Sequence, residues 1–156
     1  AGFPGMVLAI LNPDSKFTLL DSVGKKIKFL EELVQILRIE NVELVSERSE
    51  EFIKKDNREK YDIALCRGVA ELRIILEYTL PFLKVGGKFY PQKLKYKEEL
   101  EMAGNALKEF GACVENVYEF SLPISKDERT LLEIKKTTVT DKKYPRKTGI
   151  PKKRPL

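Results

Sequence analysis

The fold is decided by Ala1-Gly2-Phe3-Pro4-Gly5, which leads into an apolar helix start, and by Phe17-Thr18-Leu19-Leu20-Asp21, a short apolar strand that ends in an acid. A glycine-containing loop that opens a helix, with an acidic residue about twenty positions further on, is the layout of a nucleotide-binding βαβ unit. The strand and the front of the loop that complete such a unit are expected before Ala1. The chain is therefore expected to be a fragment whose sheet lacks its central strand and leaves two strand edges unpaired.

Strand and helix signals alternate along the rest of the chain. Residues 23–38 have apolar side chains at helical spacing, with Ser22 as a candidate N-cap. Residues 61–66 form an almost continuous apolar run, as expected for a strand buried on both faces. Further helices are predicted at 49–53, 70–83 and 96–110, and further strands at Val42–Val45, after Gly86-Gly87, and as an antiparallel pair at 113–120 and 130–136. This alternation predicts an α/β fold with a doubly wound sheet.

Composition sets the outer limits of function. The chain has 156 residues, of which 42% are hydrophobic and 34% charged, as in a soluble globular domain with a sizeable core. It contains no histidine, which excludes histidine acid–base chemistry and histidine metal sites, and no apolar run approaches the ~20 residues of a membrane span. Cys66 and Cys113 are predicted to be reduced core residues of a cytosolic protein, and they cannot form a zinc site by themselves.

The positive charge is concentrated near the end of the chain. The net charge is +5, but residues 135–156 hold nine Lys or Arg against the single acid Asp141. Pro145, Pro151 and Pro155 interrupt this segment, so it cannot be one continuous helix. A basic arm of this kind is suited to contact phosphates. The alternative interpretation is a solvated, disordered end.

Several polar residues follow the predicted strands, where ligands bind in open α/β sheets. Asp21 could accept hydrogen bonds from a ribose diol, or could be a surface turn acid or helix cap. Ser49 and Glu50 open a short helix and could read an adenine edge or simply cap that helix. Arg67 ends a buried strand beside Gly68, and Lys93 follows the next strand. A functional role is favoured for Arg67, whereas a solvated lysine is an equal alternative for Lys93.

An ordered set of motifs resembles the GidB/RsmG family, the small-subunit rRNA guanine-N7 methyltransferases of bacteria. The resemblance runs from the first residue to the last. It is carried by Ala1-Gly2-Phe3-Pro4-Gly5, residues 17–26, Arg48-Ser49-Glu50-Glu51-Phe52, residues 61–67, Gly86-Gly87-Lys88-Phe89-Tyr90, and Lys143-Tyr144-Pro145-Arg146-Lys147 with Gly149 and Pro151. In this family a lysine such as Lys93 is usually followed by glycine, whereas Leu94 stands here.

The resemblance implies a class I S-adenosylmethionine-dependent methyltransferase, with a Rossmann-like, mostly parallel doubly wound sheet and an antiparallel terminal strand. Residues 1–136 would form the methyltransferase domain, without the family's N-terminal helices and first strand, and residues 137–156 a basic tail containing Pro and Gly. The cofactor-binding residues would be Gly2, Phe3, Asp21, Ser49, Glu50 and Arg67. The RNA-binding residues would be Lys93, Arg129, Lys143, Arg146 and Lys147.

The implied reaction is S-adenosylmethionine-dependent methylation of N7 of a guanine in 16S rRNA. Direct in-line transfer to N7 needs no general base, so no catalytic residue is assigned. The substrate would be small-subunit rRNA or a pre-assembled small ribosomal subunit, and the protein a cytoplasmic monomer without a membrane or metal partner. Two other classes remain open at this point. A NAD-dependent Rossmann oxidoreductase would use Asp21 equally well, and a non-catalytic RNA-binding domain would use the tail alone.

Overall fold

The computed structural model describes residues 2–94 and 96–156, which form two compact units, Ala1–Phe52 and Ile53–Leu156. The first unit contains helix α1 (Gly5–Leu11), strand β1 (Phe17–Leu20), helix α2 (Gly24–Leu37), strand β2 (Val42–Val45) and the short helix α3 (Ser49–Phe52). Strands β1 and β2 are parallel, with Leu20 opposite Val45. Strands β1 and β2 and helices α2 and α3 lie within two residues of their predicted bounds, and α1 begins where an apolar helix start was predicted. In the part of the chain that the structure describes, no helix is long and apolar enough to cross a membrane.

Close packing explains the glycines of the first loop. Gly2 has φ +78, a left-handed conformation that glycine adopts without strain, and a β carbon there would lie 2.7 Å from Leu30 Cδ2. A β carbon on Gly5 would collide with Leu19 Cδ2 of β1. The two glycines therefore let α1 and its loop approach β1 and α2, around a small core of Met6, Ile27 and Leu30.

The predicted N-cap of α2 is wrong. The N-cap residue is Val23, whose N–H donates to Asp21 Oδ1 at 2.9 Å. The carboxylate of Asp21 thus accepts the hydrogen bond from the Val23 N–H at the helix start, where the sequence predicted the hydroxyl of Ser22.

The second unit holds a four-stranded sheet in the order β3-β4-β6-β5. Strand β4 is parallel to β3, and β6 runs antiparallel to both β4 and β5, so the predicted terminal antiparallel pair is confirmed. The elements are β3 (Tyr61–Arg67), α4 (Leu72–Thr79), a 3₁₀ helix (Leu80–Phe82), β4 (Leu83–Lys93), α5 (Tyr96–Met102), α6 (Gly104–Glu109), β5 (Ala112–Ser121), β6 (Glu128–Lys136) and α7 (Ile150–Lys153).

Several predicted details of this unit need correction. The helix expected over 70–83 begins at Leu72 and gives way to the 3₁₀ helix that contains Pro81, because proline has no N–H to continue the α-helical pattern. The helix expected over 96–110 is two helices, α5 and α6. Ile63 is exposed, so the prediction that β3 is buried on both faces is wrong.

The cysteines differ in their surroundings. Cys113 is exposed rather than in the core, because alternation along β5 directs it away from the core against which Val114 packs. Cys66 is half-buried, and burial raises the pKa of its thiol to about 12.

The tail packs on the second unit. Tyr144 is buried in the main core, where its ring meets Phe110 edge-on at 4.8 Å between centroids. Arg58 donates hydrogen bonds to the backbone carbonyls of Thr140 and Tyr144. The alternative interpretation of this segment as a disordered end is therefore wrong for the part around Tyr144.

Two buried charged pairs lie in this unit, one made by Arg146 of the tail and one by Lys136 of β6. Arg146 Nη2 lies 2.6 Å from Glu77 Oε2, its Nε also donates to this carboxylate, and only 1% of the Glu77 side chain is exposed. Lys136 is fully buried and donates to Glu59 at 2.9 Å and to the carbonyls of Leu80 and Leu83. Burial lowers the pKa of Lys136, and the carboxylate of Glu59 opposes that shift.

Glu133 of β6 is the centre of a third polar cluster. Its carboxylate accepts hydrogen bonds from Lys88 Nζ, from the Tyr118 hydroxyl at 2.6 Å and from Asn116 Nδ2 at 3.0 Å. The hydrogen bond from Lys88, then those from Tyr118 and Asn116, lower the pKa of Glu133 from 4.5 to about 2. Because the folded state lowers this pKa, the carboxylate stabilises the fold above pH 4.5, and this contribution is lost as the pH falls towards about 2.

Glu133→Gln is therefore expected to destabilise the protein most near neutral pH. The stability difference from wild type should shrink as the pH falls from 4.5 towards about 2, where Glu133 of the folded wild-type protein becomes protonated and is neutral like glutamine. Urea denaturation at a series of pH values measures this, with the exposed Glu101→Gln as the matched control. A difference that stays constant over this pH range would contradict the assignment.

Candidate functional site

The predicted cofactor residues of the first unit lie at one edge of its sheet. Asp21 directly follows β1, and its N–H donates to the carbonyl of Val45, the last residue of β2, at 3.1 Å. Ser49 lies four residues beyond that same end of β2. Since Gly5 packs against Leu19 near the end of β1, the glycine loop belongs to this edge too. The carboxyl ends of parallel strands are where ligands bind in such sheets.

The loop offers both backbone and side-chain surface. The carbonyl of Gly2 accepts a hydrogen bond from Met6 N–H at 2.6 Å, which joins the loop to α1. The side chain of Phe3 is 60% exposed. An exposed aromatic ring beside a loop in a left-handed conformation suits a flat ligand, as the resemblance implies for Phe3.

Asp21 is a charged acceptor with capacity to spare. Oδ1 accepts from Val23 N–H, and Oδ2 forms an ion pair with Lys26 at 2.9 Å. Burial opposes the charged form, but the hydrogen bonds from Val23 and Lys26 outweigh it and lower the pKa of Asp21. A carboxylate has about four acceptor positions, so two remain for a ligand. Asp21 is not the N-cap of α2, but its hydrogen bond from Val23 N–H fits the surface-turn role that we considered, and ribose binding remains compatible with it.

Ser49 and Glu50 begin α3, as predicted. Glu50 is buried, with 3% of its surface exposed, and its Oε2 accepts a hydrogen bond from Ser49 Oγ at 3.3 Å. This arrangement engages both side chains, which leaves the backbone of this turn as the group suited to contact an adenine edge.

Arg67 and Lys93 end neighbouring strands of the second unit. In the parallel pair of β3 and β4, Arg67 lies opposite Gln92, the residue before Lys93. Arg67 is exposed, and the following Gly68 has φ +62, so a left-handed turn begins directly after the strand. This end of the sheet therefore presents a guanidinium group at its surface.

Lys93 does not share that exposure. Its side chain is only 9% exposed, and Nζ lies 2.6 Å from both Glu99 Oε2 and the carbonyl oxygen of Ala70. The same Glu99 oxygen accepts a hydrogen bond from the N–H of Leu72, at the start of α4. Lys93 thus holds the loop that connects β3 to α4. We therefore revise its predicted RNA contact to a positioning role, because its ammonium is buried against protein acceptors.

Arg129 and Lys147 are two of the predicted RNA residues that are accessible to a large ligand. Arg129 is the second residue of β6, next to the turn of the β5–β6 hairpin. Its Nη2 pairs with Asp127 at 3.2 Å, and 26% of its side chain is exposed. Lys147 is exposed beside α7. The exposed residues Lys152, Lys153 and Arg154 extend this basic surface.

Lys143 and Arg146 are engaged within the protein. Lys143 pairs with Glu109 at 2.8 Å and lies 5.0 Å from the centre of the Tyr144 ring, but its side chain stays 56% exposed. Arg146 is bound to Glu77, so we revise its predicted RNA contact to a structural role. Sequence reasoning missed Glu77 and Glu99, because each partner is many residues away or on a different element. No group of three possible metal ligands occurs among the described residues.

Comparisons with known proteins support the sequence analysis. The model of the family "GidB: rRNA small subunit methyltransferase G" matches residues 1–132. A Fusobacterium nucleatum protein named ribosomal RNA small subunit methyltransferase G is 56% identical over 156 residues, covering 100% of this chain and 67% of its own length. An Acetivibrio thermocellus protein of the same name is 46% identical over 157 residues, covering 100% of this chain and 65% of its own. The chain thus spans about two thirds of the length of these relatives.

Solved structures agree on the fold. M. jannaschii TYW2 in complex with AdoMet matches with a TM-score of 0.59 and 12% identity, over 78% of this chain and 58% of its own. A SAM-dependent O-methyltransferase from Thermotoga maritima matches with a TM-score of 0.61 and 16% identity, over 87% of this chain and 56% of its own. The class I methyltransferase fold predicted from the sequence is therefore confirmed.

Proposed function

The chain belongs to the rRNA small subunit methyltransferase G family, and from this we propose that the protein transfers the methyl group of S-adenosylmethionine to N7 of a guanine in 16S rRNA. The observation that carries the proposal is the match of the family model along 132 residues, which include Asp21 and the part of the glycine loop that this chain holds. That edge supplies what the cofactor requires: an ionised acceptor for a ribose and an exposed ring beside a tight loop.

The proposed reaction uses binding rather than acid–base chemistry. The cofactor supplies a methyl group activated by its sulfonium sulfur. The lone pair of guanine N7 lies in the plane of the ring, so the N7–C bond forms as the C–S bond breaks, and no proton has to leave. A chain without histidine is compatible with such a reaction. The protein would contribute by positioning the two reactants, which is worth up to roughly 7–11 kcal/mol in intramolecular models.

Each cofactor residue has a distinct proposed task. Asp21 accepts hydrogen bonds from the ribose, the backbone at Ser49 and Glu50 contacts the adenine, and Gly2 with Phe3 lines the loop. Arg67 binds the carboxylate of the cofactor, because a cation beside the sulfonium would be repelled at the reacting centre. We also propose that the RNA is taken up either alone or in a pre-assembled small subunit, by a cytoplasmic monomer.

Methylation of defined RNA tests the function. The protein at its full natural length is incubated with 16S rRNA or small subunits and methyl-labelled S-adenosylmethionine, and N7-methylguanine is located by borohydride–aniline cleavage and primer extension. We expect label at a single guanine. Binding of RNA without binding of S-adenosylmethionine would instead favour a non-catalytic RNA-binding domain, and binding of NAD in its place would favour an oxidoreductase.

The exposed lysines of the tail are expected to contact RNA phosphates. Lys147→Gln/Lys152→Gln/Lys153→Gln removes three exposed charges without touching Tyr144 or Arg146. RNA affinity should fall, and the slope of log K against log salt should decrease in magnitude by about 2, since each phosphate contact contributes about 0.7 for single strands.

Filter binding from low to high salt measures this slope. The matched control neutralises three exposed lysines of the first unit, Lys16, Lys25 and Lys28. An unchanged affinity and slope in the tail variant would refute the phosphate contact.

A further inference from the structure

A cleft of about 550 Å³ opens in the second unit, beyond the carboxyl end of β4. One wall is the start of α5, and the other is the end of the β5–β6 hairpin, where Phe120 lies opposite Arg129. Lys93, the last residue of β4, pairs with Thr130 of β6, so the floor of the cleft is continuous with the sheet. None of the cofactor residues proposed above lines this cleft.

The cleft lies at the edge of the sheet that carries Arg67. Strands β3 and β4 are parallel and aligned so that Arg67 lies opposite Gln92, and the cleft begins two residues beyond Gln92, at Leu94. Ligands of open α/β sheets bind at this edge. A molecule in the cleft would thus lie on the same side of the sheet as the residue that we assign to the cofactor.

The walls combine three kinds of group. Aromatic rings come from Tyr96 and from Phe120, which is 46% exposed. Lys97 and Arg129 supply positive charge. Three carboxylates are also present, and among the described residues no hydrogen bond or ion pair engages them: Glu98, Glu119 and Glu128. The described lining residues thus include carboxylates as well as cations, which a groove for a phosphate backbone alone does not require.

Aromatic faces beside carboxylates and cations suit a nucleotide of one particular kind. Unstacked RNA bases are recognised by stacking on aromatic side chains and by hydrogen bonds to their Watson–Crick edges. Among the four standard bases, only guanine presents two adjacent donors on that edge, N1–H and N2–H₂, which one carboxylate can accept in parallel. Adenine and cytosine place an acceptor beside their amino group, and the single N–H of uracil lies between two carbonyls, so a carboxylate is repelled by part of each.

We propose that this cleft binds an unpaired guanine nucleotide of the RNA substrate, an inference that rests on the proposed function. A carboxylate of the cleft accepts the two Watson–Crick donors, Phe120 stacks on the base, and Lys97 and Arg129 bind its phosphates. In guanine, N7 lies on the Hoogsteen edge and takes no part in hydrogen bonds to the N1 and N2 donors of the Watson–Crick edge. A guanine held in this way therefore leaves N7 open to an in-line approach.

Base discrimination tests the proposal without any methyl transfer. The probes are three fluorescent pentanucleotides, UUGUU, UUIUU and UUAUU, where I is inosine, which keeps N1–H but lacks the amino group. Fluorescence anisotropy with the wild-type protein should show binding of UUGUU at least about tenfold tighter than UUAUU, with UUIUU in between, because each lost hydrogen bond to a charged group costs about that much. Equal affinities for the three would overturn the proposal.

Variants locate the discrimination in the cleft. Glu98→Gln/Glu119→Gln/Glu128→Gln should abolish the preference for guanine while retaining affinity for S-adenosylmethionine, and Phe120→Ala should weaken all three probes by about tenfold. Glu101→Gln, an exposed residue on α5 outside the cleft, is the matched control. A preference that survives the triple substitution would overturn the carboxylate assignment. Discrimination without 16S rRNA methylation would instead refute the proposed function and leave the guanine site standing.

Discussion

Arg146→Met is expected to lower the free energy of unfolding by about 3–5 kcal/mol, the usual cost of removing one partner from a buried ion pair. The carboxylate of Glu77 is almost fully buried. It accepts hydrogen bonds from three groups of Arg146: Nε, Nη2 and the backbone N–H. Methionine retains the apolar part of the side chain but leaves the charge of Glu77 without its guanidinium partner. The cost arises from that uncompensated charge rather than from lost packing.

A double-mutant cycle separates the two contributions. Glu77→Met/Arg146→Met removes both charges and should recover much of the stability that Arg146→Met loses, because buried pairs are often replaced by apolar residues at little cost. Urea denaturation gives the free energies, and Arg154→Met, at an exposed residue of the same tail, serves as the control. If Arg146→Met retained wild-type stability but lost RNA affinity, the original RNA assignment would be restored.

Asp21→Ala is expected to weaken S-adenosylmethionine binding by roughly 10-fold to 100-fold, since hydrogen bonds to a charged group are worth about 1.5–3 kcal/mol. The same substitution removes the acceptor for Val23 N–H at 2.9 Å, so it should also destabilise the protein by about 1 kcal/mol. Asp21→Asn retains an oxygen that can accept this hydrogen bond from Val23 N–H but lacks the negative charge. It should therefore recover stability more fully than cofactor affinity.

Isothermal titration with the full-length protein measures the affinity, and thermal denaturation measures the stability. Asp14→Asn, at an exposed acid of the same unit, is the matched control. If Asp21→Ala bound S-adenosylmethionine with wild-type affinity, the carboxylate would serve only the turn before α2.

Local patterns predicted most of the elements well. The bounds of α2 and β2 agree with prediction to within a residue, because apolar spacing and strand propensity are properties of neighbouring residues. Two of the errors fall at local helix breakers, Pro81 and Gly104, whose effect on the predicted helices was not taken into account. A single helix was predicted over 96–110, although Gly104-Asn105, which are poor helix formers, stand where it divides between Met102 and Gly104.

The candidate site, too, could be predicted from the sequence only in part. Within each unit, the positions of Asp21 beside the end of β2 and of Arg67 beside the end of β4 follow from residue order, because the ends of neighbouring parallel strands reach the same edge of their sheet. The cleft between α5 and the β5–β6 hairpin could not be predicted, since it depends on how Phe120 and Arg129 are placed against Tyr96. Their separation in sequence carries no information on that distance.

The sequence by itself determined the family, the α/β alternation and the presence of a basic tail, all of which depend on residue order and composition. Only the tertiary structure decided which basic residues are paired inside the fold and which are exposed at its surface. Lys93 and Arg146 are engaged by Glu99 and Glu77, whereas Lys147 is exposed. The physical reason is that a charge in a sequence has a sign but no partner, and burial selects the partner because an unpaired charge inside a protein is costly.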